Sequence, residues 1–115
     1  MTQRKLGLVG GIGPESTVSY YRKLVHSFQA KAGRQSLPRL SIESLSAFTV
    51  FSLCRRQELD QLANYVLTAV RNLAAGGADI AALTGNTPNI VMDLLLKQSP
   101  IPLVSAVDAT GEAAR

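Results

Sequence analysis

Along this chain the apolar residues change their spacing repeatedly, from short contiguous or alternating runs to repeats of three and four and back again. Lys5-Leu6-Gly7-Leu8-Val9 is a short apolar run closed by glycines and predicts a strand. After Pro14, the residues Val18, Tyr21, Val25 and Phe28 recur at helical spacing and predict a helix that buries that stripe. Gly33 to Pro38 breaks the pattern, and Arg39 to Leu45 alternates with a period of two, as a second strand would. Ser46 to Arg56 reads as a loop. From Gln57 to about Ala75, Leu59, Leu62, Val66, Val70 and Leu73 mark one helix face, ended by Gly76-Gly77 as a left-handed cap. Asp79 to Leu83 predicts a third strand. Thr87 and Pro88 suit the N-cap and first position of a helix whose buried face is Ile90, Val91, Leu94 and Leu95. Pro100 to Val104 predicts a fourth strand, and a last helix begins at Asp108 and breaks off at Arg115.

Strands that alternate with helices through short connections imply a parallel sheet, because right-handed crossovers lay the helices on its faces. The expected fold is therefore α/β, a single doubly wound domain over residues 1–115 with a four-stranded parallel sheet flanked by helices on both faces. In such sheets ligands bind beyond the carboxyl ends of the strands. The unusual segments all fall there: Gly10 to Thr17, Ser46 to Arg56, Gly85 to Thr87, and Ser105 to Thr110.

Composition narrows the classes. With 115 residues, the chain has enough length for one hydrophobic core. At 46% hydrophobic and 17% charged residues it belongs with folded globular proteins rather than disordered ones. The net charge of +4 is spread out, with no basic run longer than Arg55-Arg56, so no nucleic-acid partner is expected and anionic metabolites fit better. No signal peptide and no apolar run of about 18 residues is present, so no membrane association is expected. The single Cys54 cannot form an intrachain disulfide, which makes a cytoplasmic location the default.

Gly10-Gly11-Ile12-Gly13 leads into a helix start, where free backbone N–H groups favour a carboxylate or phosphate. The same glycines also suit a tight turn that only packs helix on strand, and both readings stand. Asn86 and Thr87 offer an amide, a hydroxyl and helix-start N–H groups, with capping by Thr87 compatible with binding. Arg55 and Arg56 could grip a carboxylate through paired hydrogen bonds, or simply be solvated. Cys54 beside them reads as a reactive thiol or, more commonly, as a buried structural cysteine. His26 is the single histidine and reads as structural; no metal-ligand spacing occurs.

Together, Gly10-Gly11-Ile12-Gly13-Pro14-Glu15-Ser16-Thr17 with Tyr20-Tyr21, the Arg55-Arg56 segment, Gly85-Asn86-Thr87-Pro88, and the later Pro102-Leu103-Val104 and Asp108-Ala109-Thr110 resemble the aspartate/glutamate racemase family along essentially the whole chain. The resemblance implies an amino-acid racemase that needs no pyridoxal phosphate, metal or other cofactor. It also implies two related α/β domains enclosing the substrate, each offering one acid/base residue, usually Cys, to opposite faces of the α-carbon. Two groups are needed because one base returning its proton to the same face gives no inversion. Carried over, Gly11 and Ile12 lie at the substrate in the first glycine loop, Arg55 and Arg56 approach the side-chain carboxylate, and Asn86 and Thr87 hold the amino-acid core.

Gly85 occupies the family's first catalytic position, where Cys is usual and Thr or Ser occurs in some members. Glycine cannot transfer a proton through a side chain. Asn89 stands where the family often has His, and the second domain, with its own Cys, would begin after Arg115. Neighbouring Thr84 carries a hydroxyl, but strand alternation should point it away from the direction Gly85 faces. These residues lead to the expectation of the N-terminal part of an aspartate/glutamate-type racemase with impaired turnover, associating as a homo-oligomer through the surface its partner domain would cover. A non-catalytic module that binds acidic amino acids is the alternative, and a nucleotide-binding domain, resting on the imperfect glycine motif alone, is a third.

Overall fold

The computed structural model describes residues 5–11, 14–84 and 89–105. Eight elements follow one another: β1 (Lys5–Gly10), α1 (Pro14–Ala32), β2 (Arg39–Ser44), α2 (Ala47–Arg55), α3 (Leu59–Ala75), β3 (Ile80–Leu83), α4 (Asn89–Gln98) and β4 (Leu103–Ser105). The strands form one parallel sheet in the order β2-β1-β3-β4. The expected doubly wound α/β fold is present, with four helices.

Successive residues of β1 face opposite sides of the sheet, and each side has its own cover. Leu8 points to the side where Leu24 of α1 and Ala82 of β3 pack with it. Val9 points to the other, where α2, α3 and α4 supply Val50, Leu53, Leu62, Val66, Val70, Leu73, Val91 and Leu95. That division follows from the strand order: the crossover from β1 to β2 runs one way along the sheet and the later ones run the other, so right-handed connections land on opposite faces.

α3 buries the stripe that its sequence predicts, with Leu62, Val66, Val70 and Leu73 all buried and Leu59 packed against the same core. It ends as expected at a glycine pair, with Gly77 as the left-handed residue at φ 98° and Gly76 still right-handed. The N–H of Ala78 donates to the carbonyl of Leu73 and that of Gly77 to Ala74, which satisfies the last carbonyls of the helix.

Two expectations are corrected. Residues 46–56 are not a loop: Ser46 caps a nine-residue helix by accepting a hydrogen bond from the N–H of Thr49, and Val50 and Leu53 anchor that helix in the core. On α1 the inward stripe is Thr17, Tyr20 and Leu24, whereas Val18 and Tyr21 are 59% and 45% exposed. The apolar periodicity was displaced by one residue because the inward position nearest the strand holds Thr17, whose hydroxyl has a backbone partner there. The predicted cap Thr87-Pro88 and the helix from Asp108 lie outside the described residues.

At the amino rim of the sheet Lys5 ties β1 to the start of β3 three times. Its N–H donates to the Asp79 carboxylate at 2.8 Å, its ammonium donates to the Gly76 carbonyl at 2.7 Å, and its carbonyl accepts from the N–H of Asp79 at 2.8 Å.

Candidate functional site at the carboxyl rim of the sheet

The strand order reverses between β1 and β3, because the chain leaves β1 toward β2 and leaves β3 toward β4. In doubly wound sheets ligands bind at such a switch point, beside the segments that follow the two strands. Here those segments begin at Gly10-Gly11 after β1 and at Thr84 after β3.

The first turn is held very tightly. Gly11 has φ 91°, and a β-carbon there would lie 2.1 Å from the carbonyl oxygen of Leu45. Its N–H donates to the hydroxyl of Thr17 at 2.8 Å, in a buried setting. Gly10 lets Thr17 approach so closely that an added β-carbon would meet its side chain at 2.6 Å, and the Gly10 carbonyl accepts from the N–H of Leu45 at 2.7 Å. The packing account of these glycines therefore has a direct geometric basis. Ile12 and Gly13 lie outside the described residues.

Thr17 is the residue that sequence reasoning passed over. It is buried, it orients the Gly11 N–H, and it fills the space that glycine 10 leaves. The signal was a hydroxyl residue on the first turn of a helix that follows a glycine run.

After β3 the Thr84 hydroxyl donates to the carbonyl of Val9 at 2.9 Å, and the Thr84 N–H reaches the same oxygen at 3.2 Å. Thr84 is buried and its hydroxyl is occupied in joining β3 to β1. Gly85, Asn86 and Thr87, the expected catalytic and substrate-holding positions, lie outside the described residues.

The third segment is α2. Its start is fixed by the N–H of Ser46 donating to the hydroxyl of Tyr65 on α3, at 2.9 Å. Its end carries Arg55 in the last turn and Arg56 at the cap, both exposed. Arg56 pairs with Glu58 at 3.6 Å, while Arg55 makes no ion pair among the described residues. Helical spacing puts Phe48, Phe51 and Arg55 on the outward side, opposite Val50 and Leu53. Cys54 is exposed, which corrects the expectation of a buried structural cysteine. His26 is also exposed, on α1.

A cavity of about 230 Å³ lies elsewhere, between α3 and α4, with Leu67, Leu94 and Leu95 for walls and Asp60, Asn64 and Gln98 among its polar lining. None of the sequence-predicted site residues borders it. Among the described residues no cluster of His, Cys, Asp or Glu is suited to a metal ion, and no helix is long and apolar enough to cross a membrane.

Residues 9–115 match the Asp/Glu/hydantoin racemase family. The chain belongs to that family. Among solved structures, this racemase-family chain is similar to a candidate Asp/Glu racemase from Yersinia pestis, with 26% identity and a TM-score of 0.85, over 93% of this chain and 46% of the other. It is similar to an aspartate racemase homologue from Pyrococcus horikoshii OT3, with 31% identity and a TM-score of 0.81, over 96% of this chain and 48% of the other. An aspartate racemase from Picrophilus torridus shares the fold at 16% identity and a TM-score of 0.60, over 95% of this chain and 71% of the other. This racemase-family chain thus spans about half the length of the first two structures it matches. What it contains is one half-domain of the racemase fold.

Proposed function

We propose that this chain is the recognition half of an amino-acid racemase for aspartate, glutamate or a similar amino acid, working by cofactor-independent two-base proton transfer at the α-carbon. The observation that carries the reading is the switch point between β1 and β3: in a chain of this family, a rigid glycine turn and the segment containing Gly85, Asn86 and Thr87 follow the two strands between which the order reverses. In this reading Gly11 and Ile12 meet the substrate, Asn86 and Thr87 hold its amino-acid core, and Arg55 and Arg56 take its side-chain carboxylate. The turn at residue 85 brings no acid/base side chain, and the second acid/base group comes from another α/β half. Turnover by this chain alone is impaired. The protein is cytoplasmic and works as a homo-oligomer.

Proton NMR of L-aspartate and L-glutamate in heavy water, with the unmodified chain and a Gly85→Cys variant side by side, tests it through loss of the α-proton signal. The expected result is exchange that appears or rises sharply only in the cysteine variant. Equal exchange in both would move the proton transfer to another group, and silence in both would remove the catalytic reading for this chain.

The glycine at position 85 also favours a second reading, a module that binds acidic amino acids without turning them over. Calorimetry separates the two. Binding heat that vanishes in Arg55→Ala, with no exchange in the cysteine variant, selects the binding module.

A further inference from the structure

We propose that the cavity between α3 and α4 is a binding site for a short aliphatic amine in its ammonium form. The site shares no residue with those proposed for the amino-acid substrate and does not rest on the racemase reading.

The cavity, of about 230 Å³, has walls of two kinds. Leu67 and Leu95 are buried and Leu94 is half-buried, and Ala63, buried on α3 beside them, is too small to fill the gap. The rest of the lining is polar: Asp60 and Asn64 of α3 and Gln98 of α4, all exposed. Asp60, Ala63, Asn64 and Leu67 follow one another at helical spacing, so one side of α3 supplies both the polar mouth and part of the apolar floor.

The polar side chains have no other task in the fold. None of the three makes a side-chain hydrogen bond or ion pair among the described residues. Thr68 bonds the backbone carbonyl of Asn64 and not its amide, and Arg56 pairs with Glu58 and not with Asp60.

The ligand class follows from what these groups offer together, which is a carboxylate and two amide oxygens as acceptors. An ammonium carries three N–H donors and a full positive charge, so it meets this set where a neutral alcohol or a carboxylate does not. Gln98 is also the last residue of α4, and the C-terminal end of a helix favours a cation. No Lys or Arg belongs to the lining, so an amino acid would leave its carboxylate unpaired beside Asp60. An amine without a carboxylate places its nitrogen at the polar side and its alkyl chain over Leu67, Leu94 and Leu95, the usual division of a small-ligand site. A bare divalent cation prefers a shell of oxygens and gains nothing from that floor.

The test is methyl-resolved NMR of the 115-residue chain, titrated in turn with n-butylammonium chloride, n-butanol, sodium butyrate and calcium chloride. The expected result is saturable movement of the Leu67, Leu94 and Leu95 methyl signals with butylammonium, half-complete at about millimolar concentration. Butanol should bind about fivefold more weakly or worse, and butyrate should leave these signals still. Asp60→Asn should weaken amine binding about fivefold, and Gln98→Lys, which sets a fixed cation beside the carboxylate, by as much or more. Both positions are exposed, so circular dichroism should be unchanged. Leucine signals that do not move with butylammonium overturn the site. An equal response to butanol, or an amine affinity unaltered in both variants, overturns ammonium recognition, and a response to calcium in place of the amine overturns it in favour of a metal. No amino acid is present in these titrations, so failure here leaves the proton-exchange test of the racemase reading untouched, and failure there leaves this site standing.

Discussion

The hydroxyl of Thr84 donates to the carbonyl of Val9 at 2.9 Å, joining the residue that follows β3 to the strand that leads into the glycine turn. Together with the Thr84 N–H on the same oxygen, it ties the end of β3 to β1. It also means that the hydroxyl next to Gly85 is already engaged. Thr84→Val removes that link but leaves the Thr84 N–H on the same oxygen, so the expected loss is about 1 kcal/mol of stability. Urea denaturation checks the magnitude, and residual proton exchange, if any, should be unaltered.

Thr17 gives the second prediction. Its hydroxyl accepts from the buried N–H of Gly11, and Thr17→Val would leave that donor without a partner at a cost of about 1–3 kcal/mol. Thr17→Ser keeps the acceptor and should recover most of the loss. A denaturation series of the three proteins distinguishes a hydrogen-bond role from one of packing alone.

Two glycines at positive φ should respond very differently to alanine. Gly77, at φ 98°, has nothing within 4 Å of an added β-carbon, so Gly77→Ala should cost only the left-handed backbone penalty, about 1–2 kcal/mol. At Gly11 the same change also drives a β-carbon onto the Leu45 carbonyl, and the cost should exceed about 3 kcal/mol or prevent folding. Comparing denaturation midpoints, or soluble yield for Gly11→Ala, tests the contrast.

The opposite change should stabilise the junction of α2 and α3. Gln57 is left-handed at φ 55°, with its N–H donating to Cys54 and that of Glu58 to Leu53, the same cap that Gly77 makes for α3. Gln57→Gly relieves the side-chain penalty and should raise stability by about 0.5–1 kcal/mol. A lowered urea midpoint would contradict this.

The two arginines of α2 should not be equivalent in binding acidic amino acids. Arg56 already faces Glu58, whereas Arg55 makes no ion pair among the described residues and lies on the outward stripe. Arg55→Ala should weaken binding about tenfold, the loss of a charge-assisted contact, and Arg56→Ala about threefold or less. Calorimetry with L-aspartate and L-glutamate measures both.

How far the sequence could be read depended on whether burial alone decided a residue's place. In α3 every fully buried position is aliphatic, so Leu62, Val66, Val70 and Leu73 declared the face correctly. In α1 the inward stripe includes Thr17 for the sake of one hydrogen bond, and the bulkier Val18 and Tyr21 drew the reading one residue off. In α2 the phenylalanines lie outside and only Val50 and Leu53 lie inside, so apolar spacing gave little sign of a helix; its real marker was Ser46 as a cap. Of the site, the glycine turn was legible as a feature, but its grip on Leu45 depends on a strand about 30 residues later, which no local pattern encodes.

The triple tie made by Lys5 sits at the rim opposite the proposed chemistry. Anchorage and reactivity are thereby assigned to different ends of the same strands. Under the proposed function, the scaffold's integrity is independent of the side chain at position 85, because the ties made by Lys5 lie at the far ends of the strands.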